Sequence, residues 1–236
     1  MTERKSLYKE FAGYVSLNVL GMLGLSCYIL ADTFFVSLGL GTDGLAALNL
    51  AVPVYSFIHG SGLMLGMGGA SSYAIFRGAG NERAAGVVFT DTLYAAAVFA
   101  AVFVLAGAAF SRPITAALGA DDAVFAMTET YLRVILLFAP AFILNNVVLC
   151  FVRNDGAPKL AMAAMLAGSL SNIFLDWLFM FPFGMGSFGA LFATGLAPVI
   201  SLAVLSAHFF RRRNGFRPVR KSPDLRAVGR NLSLGF

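Results

Sequence analysis

The stretch Leu160–Phe181, LAMAAMLAGSLSNIFLDWLFMF, is an apolar run in which Asp176 is the single charged side chain. A helix of about 20 residues crosses the roughly 30 Å hydrocarbon core of a bilayer. A carboxylate at the centre of such a helix costs roughly 2.5–3.5 kcal/mol on insertion scales. Asp32 lies in a second apolar run, within Tyr28–Val36. Two carboxyl groups in such positions predict a membrane protein that handles protons or other cations.

The composition agrees with this prediction. Hydrophobic residues make up 58% of the 236-residue chain and charged residues 12%, whereas soluble domains average roughly 45–50% and about 25%. So few charges cannot cover the surface of a soluble particle of this size. The net charge is +5, but the basic residues flank apolar runs, which indicates membrane orientation and no nucleic-acid partner.

We predict an all-α, polytopic membrane protein with a six-helix transmembrane bundle in residues 1–210. The predicted links are short, with Gly39–Gly44 between the first two spans and Ser111–Asp122 as the longest. Residues 211–236 are predicted to form a basic cytoplasmic connector and the start of a missing second unit. The six predicted spans are Phe11–Leu38, Leu48–Phe76, Ala84–Phe110, Ala126–Val152, Leu160–Phe181 and Gly189–Phe210.

Lysines and arginines predict the topology. With the N-terminus in the cytoplasm, fifteen of the seventeen basic residues fall in cytoplasmic segments, and only Arg112 and Arg133 lie towards the outside. Such an asymmetry places both termini in the cytoplasm of a multi-pass protein in the inner membrane. The first apolar run is too long for a signal-peptide core, so we expect an uncleaved first span.

Polar residues within the spans lie at one depth. At 1.5 Å per residue, Asp32, Asp176 and Thr194 are all about 8–9 Å below the outer boundary. Asn172 precedes Asp176 by one helical turn and shares its helix face. Oxygen atoms of these types suit a hard cation such as Na⁺, and burial of a carboxyl group also suits a proton carrier. The alternative is that Asp32 and the Asn172–Asp176 pair only form hydrogen bonds with neighbouring helices.

Other polar and small residues allow two interpretations each. Asn146 is a candidate cavity-lining residue or a helix–helix hydrogen-bond partner, and Tyr131 is a candidate cavity residue or an interfacial anchor. The glycines of the second span, including Gly62 and Gly66, indicate either tight packing or a moving helix. Prolines within three of the runs predict helix bends; they are Pro53, Pro140 and Pro198.

Motifs of soluble enzymes are missing from the sequence. It contains no Walker A motif, no HExxH, no CxxC and no nucleophile elbow. The chain is therefore predicted not to be an enzyme and to use no cofactor.

Several short segments together resemble the N-terminal half of transporters of the MATE (multidrug and toxin extrusion) family. The resemblance extends over almost the whole chain and depends on the order and spacing of these segments. They are Ala31–Val36, Gly41–Ala47 with Pro53, Gly66–Ser72 with Arg77–Asn81, Phe151–Pro158, Asn172–Asp176, and Gly184–Ala190 with Ala193–Thr194.

The resemblance implies a fold, an activity and a site. Such proteins have twelve spans in two six-helix lobes and export cationic, lipophilic drugs in exchange for H⁺ or Na⁺. The cation site of their N-lobe matches Asp32, Asn172, Asp176 and Thr194 here. Two residues of the fourth span match less closely, Tyr131 and Asn146. The chain departs from the family in length, because a second lobe is absent, and alternating access needs two bundles.

Two other functions remain open at this stage. A lipid-linked oligosaccharide flippase of the wider superfamily would be expected to line its cavity with several arginines, but within the spans only Arg133 occurs, near an end. The second alternative is a membrane module that does not transport by itself. The predicted partners are cationic drugs or toxins, the lipid bilayer, and a missing C-terminal lobe or a second copy of the chain.

Overall fold

The computed structural model describes residues 2–210, 215–219 and 229, and in this part of the chain the regular elements are all helices. The predicted all-α class is therefore confirmed. Most of the predicted start of a second unit, residues 220–228 and 230–236, lies outside the described residues. The helices are α1 (Thr2–Gly78), α2 (Glu82–Ala117), α3 (Phe125–Leu137), α4 (Ala139–Asn154), α5 (Pro158–Met180) and α6 (Gly186–Phe210).

Helix α1 contains the first two predicted spans. Its backbone leaves the helical conformation at Gly41, which has φ 67° and ψ −153°. The hydroxyls of Tyr28 and Tyr55 are 3.3 Å apart, although these residues would be about 40 Å apart along a continuous helix. The two halves of α1 therefore fold back on each other at Gly41. The predicted Gly39–Gly44 link is wrong, because a single glycine, which tolerates positive φ, is enough for the reversal.

Helix α2 is longer than predicted. It ends at Ala117 with Pro113 inside it, so the predicted link Ser111–Asp122 is wrong over its first seven residues. Proline removes one N–H donor and crowds the preceding turn, but the helix continues beyond Pro113, and the Thr115 hydroxyl donates to the Ser111 carbonyl at 2.8 Å. The link that joins α2 to α3 is residues 118–124.

Helices α3 and α4 together form one crossing. They meet at Phe138 with a bend of 46°, and Pro140 stands in the first turn of α4, which agrees with the predicted bend. Four helices are individually long and apolar enough to span a membrane, and this bent pair is a fifth candidate. Because α1 folds back at Gly41, it supplies two crossings, and the described chain contains the six that the sequence predicts.

The outward surface of the bundle is apolar. Large hydrophobic side chains are widely exposed, among them Leu30 (71%), Phe57 (74%) and Phe210 (84%). A surface of this kind is stable against lipid and would aggregate in water.

The bundle has two ends, which we name by their contents. At the hairpin end, near Gly41, Val36 packs with Met180 and Ala190 in a small core cluster. At the connector end, α1, α4 and α6 terminate and residues 215–219 follow. The main hydrophobic core runs between the two ends through all six helices.

The glycines in the second half of α1 lie against α4. A Cβ atom at Gly62 would come within 3.0 Å of the Ile143 Cα, and one at Gly66 within 2.9 Å of the Asn146 carbonyl oxygen. Contacts this short between backbones are possible only without side chains at these positions. Of the two interpretations of this glycine run, the structure supports tight packing.

The connector end is built around Asp155, whose side chain has no exposed surface. It accepts hydrogen bonds from the Tyr73 hydroxyl at 2.5 Å, the His208 Nε2 at 2.7 Å and the Gly215 backbone N–H at 2.7 Å. Arg77 forms an ion pair with it. Phe216 follows in the chain and is fully buried. The described part of the predicted connector is therefore packed onto the bundle.

Candidate functional site

Three of the predicted site residues meet between α5 and α6. Asn172 and Asp176 are fully buried on one face of α5, one turn apart, as their spacing predicts. Thr194 lies opposite them on α6, where its hydroxyl donates to the Ala190 carbonyl at 3.1 Å. The polar groups are in direct contact although the two residues on α5 and the one on α6 are some twenty positions apart in sequence.

The Asn172 amide links the other two residues, and its orientation depends on its partners. In one orientation its Nδ2 donates to the Asp176 Oδ2 at 3.1 Å, and its oxygen accepts from the Thr194 backbone N–H at 3.2 Å. In the other, Nδ2 donates to the Thr194 hydroxyl at 3.4 Å and the amide oxygen faces Asp176. The first orientation suits an ionised Asp176, and the second suits a protonated one, since a carboxylic acid can donate to an amide oxygen.

Asp32 approaches this group from the first half of α1. It is near enough to Asp176 for the two carboxyl groups to interact electrostatically. Both aspartates also act electrostatically on the hydroxyls of Tyr28 and Tyr131. Two ionised carboxylates within electrostatic range of each other in an apolar bundle repel, and either protonation of one or binding of a cation relieves the repulsion. The structure therefore brings Asn172, Asp176 and Thr194 into contact and places Asp32 and Tyr131 within electrostatic range of Asp176.

Two buried polar atoms at this site have no hydrogen-bond partner among the described residues. They are the Asp176 Oδ1 and the Tyr131 hydroxyl oxygen. Buried polar atoms are nearly always satisfied in stable proteins, so such exceptions call for a ligand or a water. A hard monovalent cation or a proton fits, because every available partner is an oxygen. Among the described residues, no three His, Cys, Asp or Glu side chains lie close enough together to hold a metal ion.

A cavity of about 450 Å³ begins at this group of residues. Asn172 and Thr194 belong to its wall, and so does Asn146, whose Nδ2 lies 3.2 Å from the His59 Nδ1 and 3.3 Å from the His59 carbonyl oxygen. Tyr131 is buried and is not among the lining residues. Asn146 thus takes part in both arrangements proposed for it, a cavity wall and a hydrogen bond between helices.

Sequence reasoning missed Tyr28 and Tyr55. Their hydroxyls, 3.3 Å apart, connect the two halves of α1, and both side chains line the cavity. Tyr28 precedes Asp32 by one helical turn, and this spacing places it on the same helix face. That spacing was visible in the sequence, whereas the approach of Tyr55 depends on the reversal at Gly41.

Comparison with known proteins identifies the family of the chain. Residues 19–178 match the family model MatE, about two thirds of the chain. The chain belongs to the MATE family. The multidrug export protein MepA of Staphylococcus aureus (strain MRSA252) is 27% identical over 209 residues, which are 89% of this chain and 46% of that protein. The chain therefore spans about half the length of the curated relatives it matches.

Solved MATE structures share the architecture. A crystal structure of MATE in complex with MaD3S matches 94% of this chain and 51% of its own, with a TM-score of 0.86 and 29% identity. A MOP superfamily transporter from Pyrococcus furiosus Vc1 (DSM3638) is described as having a binding pocket of reverse polarity. Its match covers 94% of this chain and 50% of that protein, with a TM-score of 0.85 and 29% identity. The chain is thus a multi-pass membrane protein with the fold of one half of a MATE transporter.

Proposed function

We propose that this chain is the cation-coupling lobe of a multidrug efflux antiporter, which exports cationic, lipophilic compounds in exchange for H⁺ or Na⁺. The observation that carries the proposal is the Asp176 carboxyl group, which is fully buried with one oxygen unpartnered among the described residues. A second carboxyl group, that of Asp32, interacts with it. An arrangement this unfavourable persists in membrane spans chiefly where a cation or proton binds.

Binding of a cation at this site would change the packing of helices. Asp32 is on α1, Asp176 on α5 and Thr194 on α6, so a bound cation would hold three helices together. Without the cation, repulsion between the carboxylates favours separation of the first half of α1 from α5. The break at Gly41 and the proline Pro53 inside the second half of α1 are positions where such movement is easiest. The cation can shift the transporter between two states only by its different affinity for each.

For a proton, the Asn172 amide supplies a structural response. Protonation of Asp176 turns its Oδ2 from an acceptor into a donor, which favours the second amide orientation described above. The amide nitrogen then points to the Thr194 hydroxyl instead of Asp176. The charge on α5 is thereby communicated to α6 through one side-chain rotation.

Transport by this mechanism needs a second bundle, because alternating access involves the rocking of two bundles around a site. The MATE structures named above are about twice as long as this chain, and MepA is a multidrug export protein. We therefore expect a second lobe or a second copy of the chain to complete the transporter. The mass of the gene product in its native membrane, against 25.0 kDa for this chain, distinguishes the two.

The distribution of basic residues supports a location in the cytoplasmic membrane with both termini in the cytoplasm. The connector end then faces the cytoplasm and the hairpin end faces outwards. A lipid-linked oligosaccharide flippase fits less well, because the arginine on the described cavity wall is Arg153, at its connector end, where it cannot surround a pyrophosphate within the membrane.

The test is ion-driven efflux by the gene product in proteoliposomes, with an H⁺ gradient or a Na⁺ gradient imposed separately. Asp176→Asn should abolish efflux driven by the coupling ion and leave membrane insertion intact. The matched control is Asp122→Asn, which removes an exposed carboxyl group at the hairpin end and should transport normally. Unchanged coupled efflux in Asp176→Asn would exclude the coupling role.

A further inference from the structure

Three buried polar atoms on the wall of the large cavity lack a hydrogen-bond partner among the described residues. They are the Asn145 Oδ1 and the Arg153 Nε on α4 and the Ser201 hydroxyl oxygen on α6. None of these residues belongs to the cation site. Buried polar atoms without protein partners are ordinarily satisfied by ordered water. A cavity of about 450 Å³ holds several waters, since one water occupies about 30 Å³ in the liquid.

These atoms are arranged along the axis of the bundle. Ser201 is two turns beyond Thr194 on α6, or about 10 Å towards the connector end. It packs beside Gly168, where a Cβ atom would lie 3.3 Å from the Ser201 Cβ, and Gly168 is one turn from Asn172. Arg153 is about 12 Å beyond Asn145 on α4. These polar groups therefore form a row along the bundle that begins at the cation site and ends at the end of α4.

The wall of the cavity extends to the connector end. Its last lining residues on α4 are Cys150, Arg153 and Asn154, and Asn154 is exposed. Asn146 directs its amide nitrogen to His59, which leaves the adjacent Asn145 oxygen as a polar group for water in the middle of the cavity. On α4 the lining residues run from Phe142 to Asn154, a distance of about 18 Å along the helix, so the cavity spans more than half of the hydrocarbon thickness.

We propose that this cavity is a hydrated path from the cation site to the connector end, lined by Ser201, Asn145 and Arg153, through which the coupling cation leaves. The identity of the ion that moves along this path, H⁺ or a small hard cation, rests on the proposed function. The path itself is a property of the bundle and does not require transport. The polar atoms on its wall are spaced so that each can form a hydrogen bond with a water molecule. Those waters can solvate an ion or conduct a proton.

The chain carries a natural probe of this path. Cys150 is buried yet lines the cavity, and the other cysteine, Cys27, is exposed and does not line it. In a Cys27→Ala background, the experiment adds Ag⁺, a thiol-reactive monovalent cation, to inside-out vesicles that contain the gene product. The readout is the fraction of Cys150 that a maleimide no longer labels after denaturation. We expect Cys150 to be blocked by Ag⁺ from the connector side.

A second position and a control sharpen the experiment. Ser201→Cys, in a background without Cys27 and Cys150, should also be blocked, because it lies deeper on the same path. Val152→Cys in that background is the control. Val152 is nearer the end of α4 than Cys150 but is fully buried and does not line the cavity. Its block should be at least about tenfold slower, because thiol reactivity requires access.

The outcomes separate the path from the proposed function. Absence of block at both Cys150 and Ser201→Cys would overturn the path, and so would equal block of Val152→Cys, which would indicate general exposure. Asp176→Asn should leave the block of Cys150 unchanged, because the residue lies outside the wall of the path. Normal efflux in Asp176→Asn would refute the coupling function while the labelling result for the path still held.

Discussion

Asp155 and Asp176 both have side chains with no exposed surface, but their surroundings differ. Asp155, at the connector end, receives Tyr73, His208 and the Gly215 backbone N–H as hydrogen-bond donors and Arg77 as an ion-pair partner. Asp176 receives one hydrogen bond from Asn172, keeps an oxygen without a partner among the described residues, and has the carboxyl group of Asp32 nearby.

With the proposed function, the difference separates a structural charge from an ion-binding one. A buried carboxylate with a full set of donors and a cation partner holds segments together, and its loss leaves the partners unsatisfied. A buried carboxylate that has an oxygen without a hydrogen-bond partner and a like charge nearby destabilises the folded bundle. Binding of a cation relieves that instability. Stability should therefore depend on Asp155, and the response to ions should depend on Asp176.

The largest expected effect on stability is from Asp155→Ala. It should lower the free energy of unfolding by about 3 kcal/mol, the low end for a broken buried ion pair, because Arg77 is 42% exposed and can be partly solvated. The measurement is denaturant unfolding in detergent micelles. Asp122→Ala, at an exposed site, should change the value by no more than about 0.5 kcal/mol. A loss below about 1 kcal/mol for Asp155→Ala would contradict the structural role.

Phe216→Ala should have the next largest effect. Phe216 is fully buried among Tyr73, Phe89, Phe151 and Phe209, so truncation should cost about 3 kcal/mol or slightly less if the site collapses. The segment 215–219 should then become sensitive to protease in inside-out vesicles. Phe210→Ala, which truncates an exposed ring, is the control. Protease resistance equal to that of the unmodified chain would refute the docking of the connector.

The smallest effects on stability compare two tyrosines. Tyr131→Phe should change the free energy of unfolding by less than about 0.5 kcal/mol, since its hydroxyl has no partner among the described residues. Ion affinity should fall about fivefold if that hydroxyl contributes one hydrogen bond to the bound ion, about 1 kcal/mol. Tyr73→Phe should show the reverse, with about 1 kcal/mol of stability lost and ion affinity unchanged. If the two variants showed the same change in stability and the same change in ion affinity, the distinction between the surroundings of Asp155 and those of Asp176 would be refuted.

The sequence predicts the parts of this structure that depend on local pattern. Apolar runs predict the six crossings, and the four-residue spacing of Asn172 and Asp176 predicts their common face. The depth of Thr194 along its span places it near them. These inferences succeed because a membrane restricts helices to nearly parallel directions, so position along a helix translates into depth.

The remaining features depend on contacts between distant segments. Asp155 follows α4 in a short polar link and resembles an ordinary loop residue, since its partners Tyr73 and Gly215 are 82 and 60 positions away. The cavity likewise requires five crossings to be packed before it exists. The extent of helix around Gly41 and Pro113 was also mispredicted, because glycine and proline are compatible with helix on both sides when tertiary packing holds it.

The most direct test of the difference between the two aspartates is the infrared difference spectrum of the chain in nanodiscs, recorded between low and high proton or Na⁺ concentration. We expect a carboxyl band from a buried acid that changes with the coupling ion, disappears in Asp176→Asn and persists in Asp122→Asn. The same band at full intensity in Asp176→Asn would contradict the assignment of the cation site to Asp176.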